Sequence, residues 1–307
     1  MKKTTFRPQL LDAGVLIESD ALGLYHRSFY FESIVRAVEA YVSQSSDVPS
    51  HRRYYFAPFM AKETLVATGY VRSFPNLIGA VSSFQGTEHE LRELMARVDE
   101  VQSWEELLAP DGIVTCSAAC HSLYPLLGDQ VIPVEGVAYE IQATCFRHEP
   151  SDDVARMQSF RQHEFVFIGD STQALHHRDQ WLERGELLLG ALGLSLEVVV
   201  ANDPFFGRVG QMLASGQRDK NLKYEITSPI SGDTPGAIAS SNYHEDHFGV
   251  NFNIRLTNGQ PAHSSCIGFG LERIALALLL VHGISLEKWP AEVRESLSLS
   301  VDREHGN

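Results

Sequence analysis

The sequence predicts an α+β fold, an antiparallel sheet flanked by helices, and three observations carry that prediction. Strand-like runs at 139–147, 160–168, 196–201, 224–227, 237–241 and 248–254 are interrupted by helical stretches only at 172–192 and 207–222, which is not the regular βαβ alternation of a parallel sheet. Helical periodicity frames these runs at 28–42 and in the apolar stretch that closes 266–281. Neither a G-x-G-x-x-G turn after a strand nor a G-x-x-x-x-G-K-[ST] loop occurs, which removes the Rossmann and P-loop solutions to nucleotide binding.

The 307 residues suffice for one large domain or two small ones, and the 44% of hydrophobic residues support a sizeable core. The formal net charge of −14 argues against a broad nucleic-acid footprint, which wants clustered Lys and Arg. It leaves room for a local basic pocket around one nucleotide. Cys116, Cys120, Cys145 and Cys266 are few and irregularly spaced, which argues against a disulfide framework or zinc-finger spacing and suits a reducing compartment. The basic start at 1–8 precedes a stretch too short and too polar for a signal core, and no apolar run reaches membrane length. A soluble, cytoplasmic protein is expected. No repeat, low-complexity tract or interdomain linker divides it, so residues 1–307 are expected to form a single domain.

Taken in order, residues 1–27 read as a strand pair or an N-terminal arm. At 28–42, Phe31, Ile34, Val35, Val38, Tyr41 and Val42 recur at helical spacing. A polar break at 43–50 leads to a strand over 54–60 that carries Pro58, and 69–80 is irregular, punctuated by Gly and Pro. Thr87 and Glu90 form a capping box for a helix over 87–101 with the stripe Leu91, Leu94, Met95 and Val98. Residues 114–125 pass from strand to loop or short helix. The helix at 172–192 offers Leu175, Leu182, Leu187, Leu188 and Leu189 for packing. The stretch from Gly207 to Leu222 carries Val209, Met212 and Leu213 on one side and Arg208, Arg218 and Lys220 elsewhere. From Cys266 a Gly-rich turn runs into an apolar helix.

The chemistry concentrates on a hairpin, Cys145-Phe-Arg-His-Glu149 and Phe160-Arg-Gln-His-Glu164, joined by a short loop from Pro150 to Ala155. Alternation puts Arg147 with Glu149 on one face of the first strand, and Phe160, Gln162 and Glu164 on one face of the second. Arg147 and Arg156 can grip phosphate oxygens. Glu149 can accept from a base amine, Phe160 can stack on a planar base, and Glu164 can take an ammonium or a metal. The competing reading is a salt-bridged surface hairpin. At the far end, Cys266-Ile-Gly-Phe-Gly-Leu-Glu-Arg273 uses glycine for close backbone approach. Arg273 then sits in the first turns of an apolar helix, where it suits a ligand or a nearby carboxylate such as Glu272.

Together the two stretches resemble motifs 2 and 3 of class II aminoacyl-tRNA synthetases, the seryl branch in particular, with a helix plus Pro58 as a weak motif 1. The resemblance spans about 28–283. It implies that the α+β domain is a class II synthetase-like catalytic domain that dimerises through motif 1. It implies that Arg147 contacts the α-phosphate of ATP, Glu149 reads adenine, and Arg156, with Met157 beside it, serves the outer phosphates. Phe160 stacks adenine on one side and Arg273 covers the other, so that Arg147 and Arg273 stabilise charge while a carboxylate attacks ATP. Mg²⁺ bridges the phosphates, with Glu225 and Ser241 as the positions matching its protein contacts.

Three departures narrow the resemblance. No stretch matches the coiled-coil arm that grips tRNA, the motif 2 loop is short, and the family's acidic-x-x-Ser is replaced by Ile238-Ala-Ser-Ser241. The chain is similar to truncated seryl-synthetase homologues that act as amino acid:[carrier protein] ligases. That resemblance implies activation of a small amino acid, glycine or alanine, and its transfer to the phosphopantetheine thiol of an acyl carrier protein. It implies one Zn²⁺ per subunit on Cys120, Glu164 and Cys266, with Cys120, Glu164 and Ala239 at the amino acid. Read without it, Cys120 and Cys266 are small buried hydrophobes, the common fate of free cysteine. Cys116 and Cys145 are assigned to the core, and His121 and His163 neighbour the ligands. Arg208, Arg218 and Lys220 can meet an acidic carrier protein or simply be solvated. Asn242-Tyr-His-Glu-Asp-His-Phe either lines the amino-acid pocket or forms a turn. The alternatives are a seryl-tRNA synthetase-like enzyme acting on tRNA and a non-catalytic synthetase-like regulatory subunit.

Overall fold

A computed structural model describes residues 6–202, 221–232 and 235–300. Helix α1 (Phe29–Gln44) starts where Ser28 Oγ accepts from the Phe31 N–H at 3.1 Å, with Glu32 in the first turn. Its buried face, Phe31, Ile34, Val35, Val38 and Val42, is the expected periodic one. Pro58 splits the strand read over 54–60. β1 (Arg53–Phe56) enters the main sheet, whereas Phe59–Ala61 joins a second sheet with Ala80–Phe84 and Leu108–Thr115. Proline has no N–H for a ladder, but its carbonyl accepts from Cys116 N at 2.8 Å.

The hairpin follows as β2 (Val137–Phe146) and β3 (Ser159–Gly169), then α2 (Ser171–Gly190), β4 (Glu197–Val200), β5 (Lys223–Pro229), β6 (Pro235–Tyr243), β7 (His263–Gly270) and α3 (Leu271–His282). The seven-stranded sheet runs β4-β5-β6-β7-β3-β2-β1. Its neighbours are antiparallel apart from the parallel pair β1–β2, as the α+β expectation requires. One face packs Phe165, Ile226, Ile267 and Phe269 against α1, α2 and α3. A second cluster, with Cys116, Tyr124, Ile141 and Phe248, covers part of the other face.

Several readings are corrected. Helix α2 is capped by Asp170, whose Oδ1 accepts from Gln173 N at 2.8 Å while Gln173 Oε1 accepts from Asp170 N at 3.0 Å. It buries Ala174, His177, Arg178, Trp181, Gly185 and Leu189, while Leu187 is 69% exposed. The burial stripe mixes residue types, so a leucine count does not find it. Phe165 stacks on Trp181 at 3.8 Å and fixes that face. The helix Glu88–Asp99 forms with its capping box, but Leu91, Met95 and Val98 stay exposed. The strand read over 248–254 is a helical turn, His247–Asn251, bounded by positive-φ Glu245 and Asn253. It stacks Phe248 on Tyr124 at 3.8 Å. The Gly-rich turn after Cys266 is strand β7, paired on both sides. The stretch from Gly207 to Lys220 lies outside the described residues.

The hairpin is tied to the helices by a buried ion network. Glu272 accepts from Arg161 N at 2.7 Å and Arg161 Nε at 2.8 Å, and pairs with Arg27 at 3.0 Å. Arg161 also forks onto Glu32 at 2.8 and 2.9 Å. Motif 2, motif 3 and α1 therefore share one set of charges.

Candidate active site

Strand alternation lays out the site. Phe160, Gln162 and Glu164 project from β3 away from the helices. Register places Gly268 opposite Glu164, Ser240 opposite Gly268, and Glu225 opposite Ser240, while Cys266, Asn242 and Lys223 form the adjacent row. These side chains line one cavity of about 1030 Å³.

At one end of the cavity, Cys120 comes from the turn Ala119–Ser122 and Cys266 from β7. Among the described residues, Cys120, Glu164 and Cys266 are the group whose donor atoms converge, all within 4.8 Å of one another. Glu164 is 3% exposed, and its Oε1 accepts from Ala119 N at 3.1 Å. Its Oε2 is buried with no hydrogen-bond partner, an arrangement that is costly unless a cation takes it. Gly268 leaves the room: a Cβ there would stand 3.2 Å from Glu164 Cγ.

Burial, with Cys266 nearby, pushes the Glu164 carboxyl well above its usual range. The Cys266 contact and burial likewise raise the Cys120 thiol, while the Cys120 contact, opposed by burial and aided by His244, lowers Cys266. Three acids in a dry space cannot all ionise without a counter-charge. Two thiolates and a carboxylate are a zinc-type donor set that leaves a fourth position open, so the residues fit that ion.

At the other end stand the charges of motifs 2 and 3. Arg147 lies just past β2, a correction to its placement on the strand: its N–H donates to Gln158 O at 2.9 Å, and Glu149 N then turns back to Arg147 O at 2.8 Å. Alternation therefore does not pair Arg147 with Glu149. The Arg147 guanidinium lies 5.3 Å from the Phe160 ring centroid, and its Nε donates to Ser117 O at 3.2 Å. Arg156, more exposed, is 3.9 Å from Glu149. Arg273 is held by Ala155 O at 2.8 Å and Ala237 O at 3.0 Å, not by Glu272, which turns inward to Arg161. Burial, with Arg147 and Arg156 nearby, lowers its pKa, a cationic environment ready for anions. Met157 is buried at the cavity edge, and Glu225 pairs with Lys223 at 3.0 Å.

Two site expectations are corrected by strand phase. Ser241 faces α2, where its hydroxyl donates to Arg178 O at 2.9 Å, and it is fully buried. Ser240 lines the cavity instead. Ala239 shares that helix-side face with its partners Phe269 and Ile226, so it reaches the cavity only through its backbone. Sequence reasoning gave no role to Gln162, whose Oε1 accepts from Ala119 N at 3.1 Å and Cys145 Sγ at 3.2 Å. It also gave none to Lys223. The 242–248 stretch does line the cavity, through Asn242 and His244.

These features can be set beside known proteins. Amino acid--[acyl-carrier-protein] ligase 1 of Bradyrhizobium diazoefficiens is 39% identical over 279 residues, covering 90% of this chain and 85% of its own. This chain belongs to the amino acid--[acyl-carrier-protein] ligase family. Ligase 2 of the same organism is 39% identical over 285 residues, covering 92% of this ligase and 85% of its own length. The type-2 serine--tRNA ligase of Methanopyrus kandleri is 29% identical over 211 residues, which is 64% of this ligase but 40% of that protein. The solved complex of M. kandleri seryl-tRNA synthetase with A. aeolicus tRNASec matches with a TM-score of 0.81 at 21% identity, covering 95% of this ligase and 60% of that chain. The ligase thus has the fold of a seryl-synthetase catalytic domain. No family model matches it.

Proposed function

We propose that this ligase activates a small amino acid, glycine or alanine, with ATP and passes it to the phosphopantetheine thiol of an acyl carrier protein. One observation carries the reading: a single cavity joins the Cys120–Glu164–Cys266 cluster to the Arg147–Phe160–Arg273 cluster. Phe160 and Gln162 precede Glu164 along β3, so a nucleotide base at Phe160 and an amine at Glu164 would present carboxylate and α-phosphate to each other between them.

Cys120, Glu164 and Cys266 would hold Zn²⁺, which when bound supplies an electrophilic position for the free α-amine. The remaining work belongs to the chain. Phe160 and Arg273 sandwich adenine, Glu149 accepts from its amine, and Arg156 steadies the outer phosphates. The substrate carboxylate oxygen attacks the α-phosphorus, the bond to pyrophosphate breaks, and Arg147 offsets the charge that develops. Mg²⁺ bound with ATP would sit toward Glu225. The carrier thiol then attacks the adenylate carbonyl and AMP leaves.

The short loop from Pro150 to Ala155 and the formal net charge of −14 favour a carrier protein over tRNA, with Arg208, Arg218 and Lys220, which lie outside the described residues, as its contacts. Exposed Phe29, Tyr55, Phe59 and Val66, between 50% and 81% accessible, favour a homodimer, and the few, irregularly spaced cysteines favour a cytoplasmic location. Among the described residues no helix is long and apolar enough to cross a membrane. Incubation with ATP and labelled glycine or alanine is expected to label holo carrier protein, but neither apo carrier protein nor tRNA. Labelling of tRNA alone would favour the seryl-type reading, and labelling of neither would oppose both.

A further inference from the structure

His244 lies beside the cysteine–glutamate cluster with every ring nitrogen engaged. Its Nε2 is 3.5 Å from Cys266 Sγ, and its Nδ1 is 3.0 Å from Ser264 Oγ and 3.4 Å from Tyr124 Oη. Its backbone N–H donates to Ser264 O at 2.9 Å, and its ring meets Phe248 edge-on at 5.0 Å. Asn242 Nδ2 donates to the same sulfur at 3.6 Å. The two sulfurs are therefore unequal. Cys266 receives two side-chain donors from β6 and the turn after it, whereas Cys120 is engaged with Cys266 and Glu164. His244 touches Cys266 but stands outside the trio whose donor atoms converge.

We propose that His244 is a positioning residue of this centre, orienting the Cys266 sulfur toward Cys120 and Glu164 through an Nε2–H···Sγ hydrogen bond. The inference rests on the metal reading of Cys120, Glu164 and Cys266. A metal-bound thiolate only accepts, so Nε2 carries the proton. Nδ1 is then the nitrogen left to the Ser264 and Tyr124 hydroxyls, which can donate to it. Tyr124 and Ser264 thus select the tautomer and the ring angle, and Cys266 receives the result. Donors of this kind orient a ligand and draw charge from it, and their loss costs metal affinity on the order of 10–100-fold.

The test uses the full-length enzyme with Zn²⁺ and with Co²⁺ as a spectroscopic probe. His244→Phe keeps a ring against Phe248 and removes both nitrogens, while His244→Gln restores a donor. Chelator competition is expected to show zinc affinity about 10–100-fold weaker in His244→Phe, with recovery in His244→Gln. The thiolate-to-cobalt charge-transfer band should shift in His244→Phe and return in His244→Gln. A lower melting temperature with unchanged affinity and band would make His244 a packing residue and overturn the inference. Loss of metal as complete as in Cys120→Ser, without rescue by Gln, would make it a ligand and also overturn it. If His244→Phe does not fold, Ser264→Ala is read for the same band shift, and an unmoved band overturns the inference. A wild-type enzyme that binds neither ion tightly would remove the metal reading itself, whereas tight wild-type binding with unaltered variants would remove only the role of His244.

Discussion

Glu164 is a carboxyl group held in a dry, crowded space. It is buried, one oxygen has no partner, and Cys120 and Cys266 converge on it. A cation resolves that conflict, so Glu164→Gln is expected to lose zinc and raise the amino-acid KM by at least about tenfold, with less effect on the ATP KM. Metal analysis and steady-state kinetics check this. His177 gives a separate prediction, in acid. Burial, with His176 and His244 nearby, lowers its pKa to about 3, so the folded chain keeps it neutral while the unfolded chain protonates it below about 6.5. Its contribution is complete above that pH and falls as pH drops toward about 3, by about 1.4 kcal/mol per unit. Urea unfolding should show a loss of about 2 kcal/mol between pH 7.5 and pH 5 from this group, and His177→Gln should flatten that slope. Residue chemistry was only partly legible in the sequence. Cys120, Glu164 and Cys266 are far apart in the chain, and only their resemblance to a known ligand set joined them. Ser241 and Ala239 were carried over from the family resemblance, which does not fix which face of β6 each side chain takes; the register of β5 and β6 shifts just there, between Ile226 and Thr227.

At the scale of elements, Gly268 on β7 leaves room for the side chain of its cross-strand partner Glu164 on β3. Gly268→Ala would press a methyl to 3.2 Å from Glu164 Cγ, and is expected to cost about 1–3 kcal/mol and to weaken zinc retention. Denaturation and metal content are the readouts. The Arg27–Glu32–Arg161–Glu272 network joins β3, α1 and α3; Glu272→Ala removes the carboxylate shared by Arg161 and Arg27 but leaves both near Glu32, so it should cost about 1–3 kcal/mol, as measured by urea denaturation. Elements with strong local signals were readable. α1 has its cap and five periodic apolar positions, and Thr87 opens a capping-box helix. Elements fixed by tertiary contacts were not. Apolar 248–254 resembles a strand, but Phe248 is captured by Tyr124 as a helical turn. The apolar stripe on Glu88–Asp99 leaves Leu91, Met95 and Val98 exposed, which its periodicity alone does not show.

At the scale of the molecule, the sheet gives one face to the helices and the other to a cavity spanning the proposed nucleotide and amine positions. Phe29, Tyr55, Phe59 and Val66 remain exposed, which is why a dimer is expected; sedimentation should give twice the 34.2 kDa chain mass. Overall class was legible because strand clustering and the missing phosphate loops constrain it strongly. The cavity was not, since it arises from register between distant strands. The central claim, that this cavity joins an amino acid to ATP, is tested most directly by amino-acid-dependent ATP–pyrophosphate exchange. The account predicts exchange with glycine or alanine in the wild type, a severe loss in Arg147→Ala, and a loss in Cys120→Ser that excess amino acid only partly relieves. Absence of exchange with every amino acid, or exchange indifferent to Arg147, would contradict it.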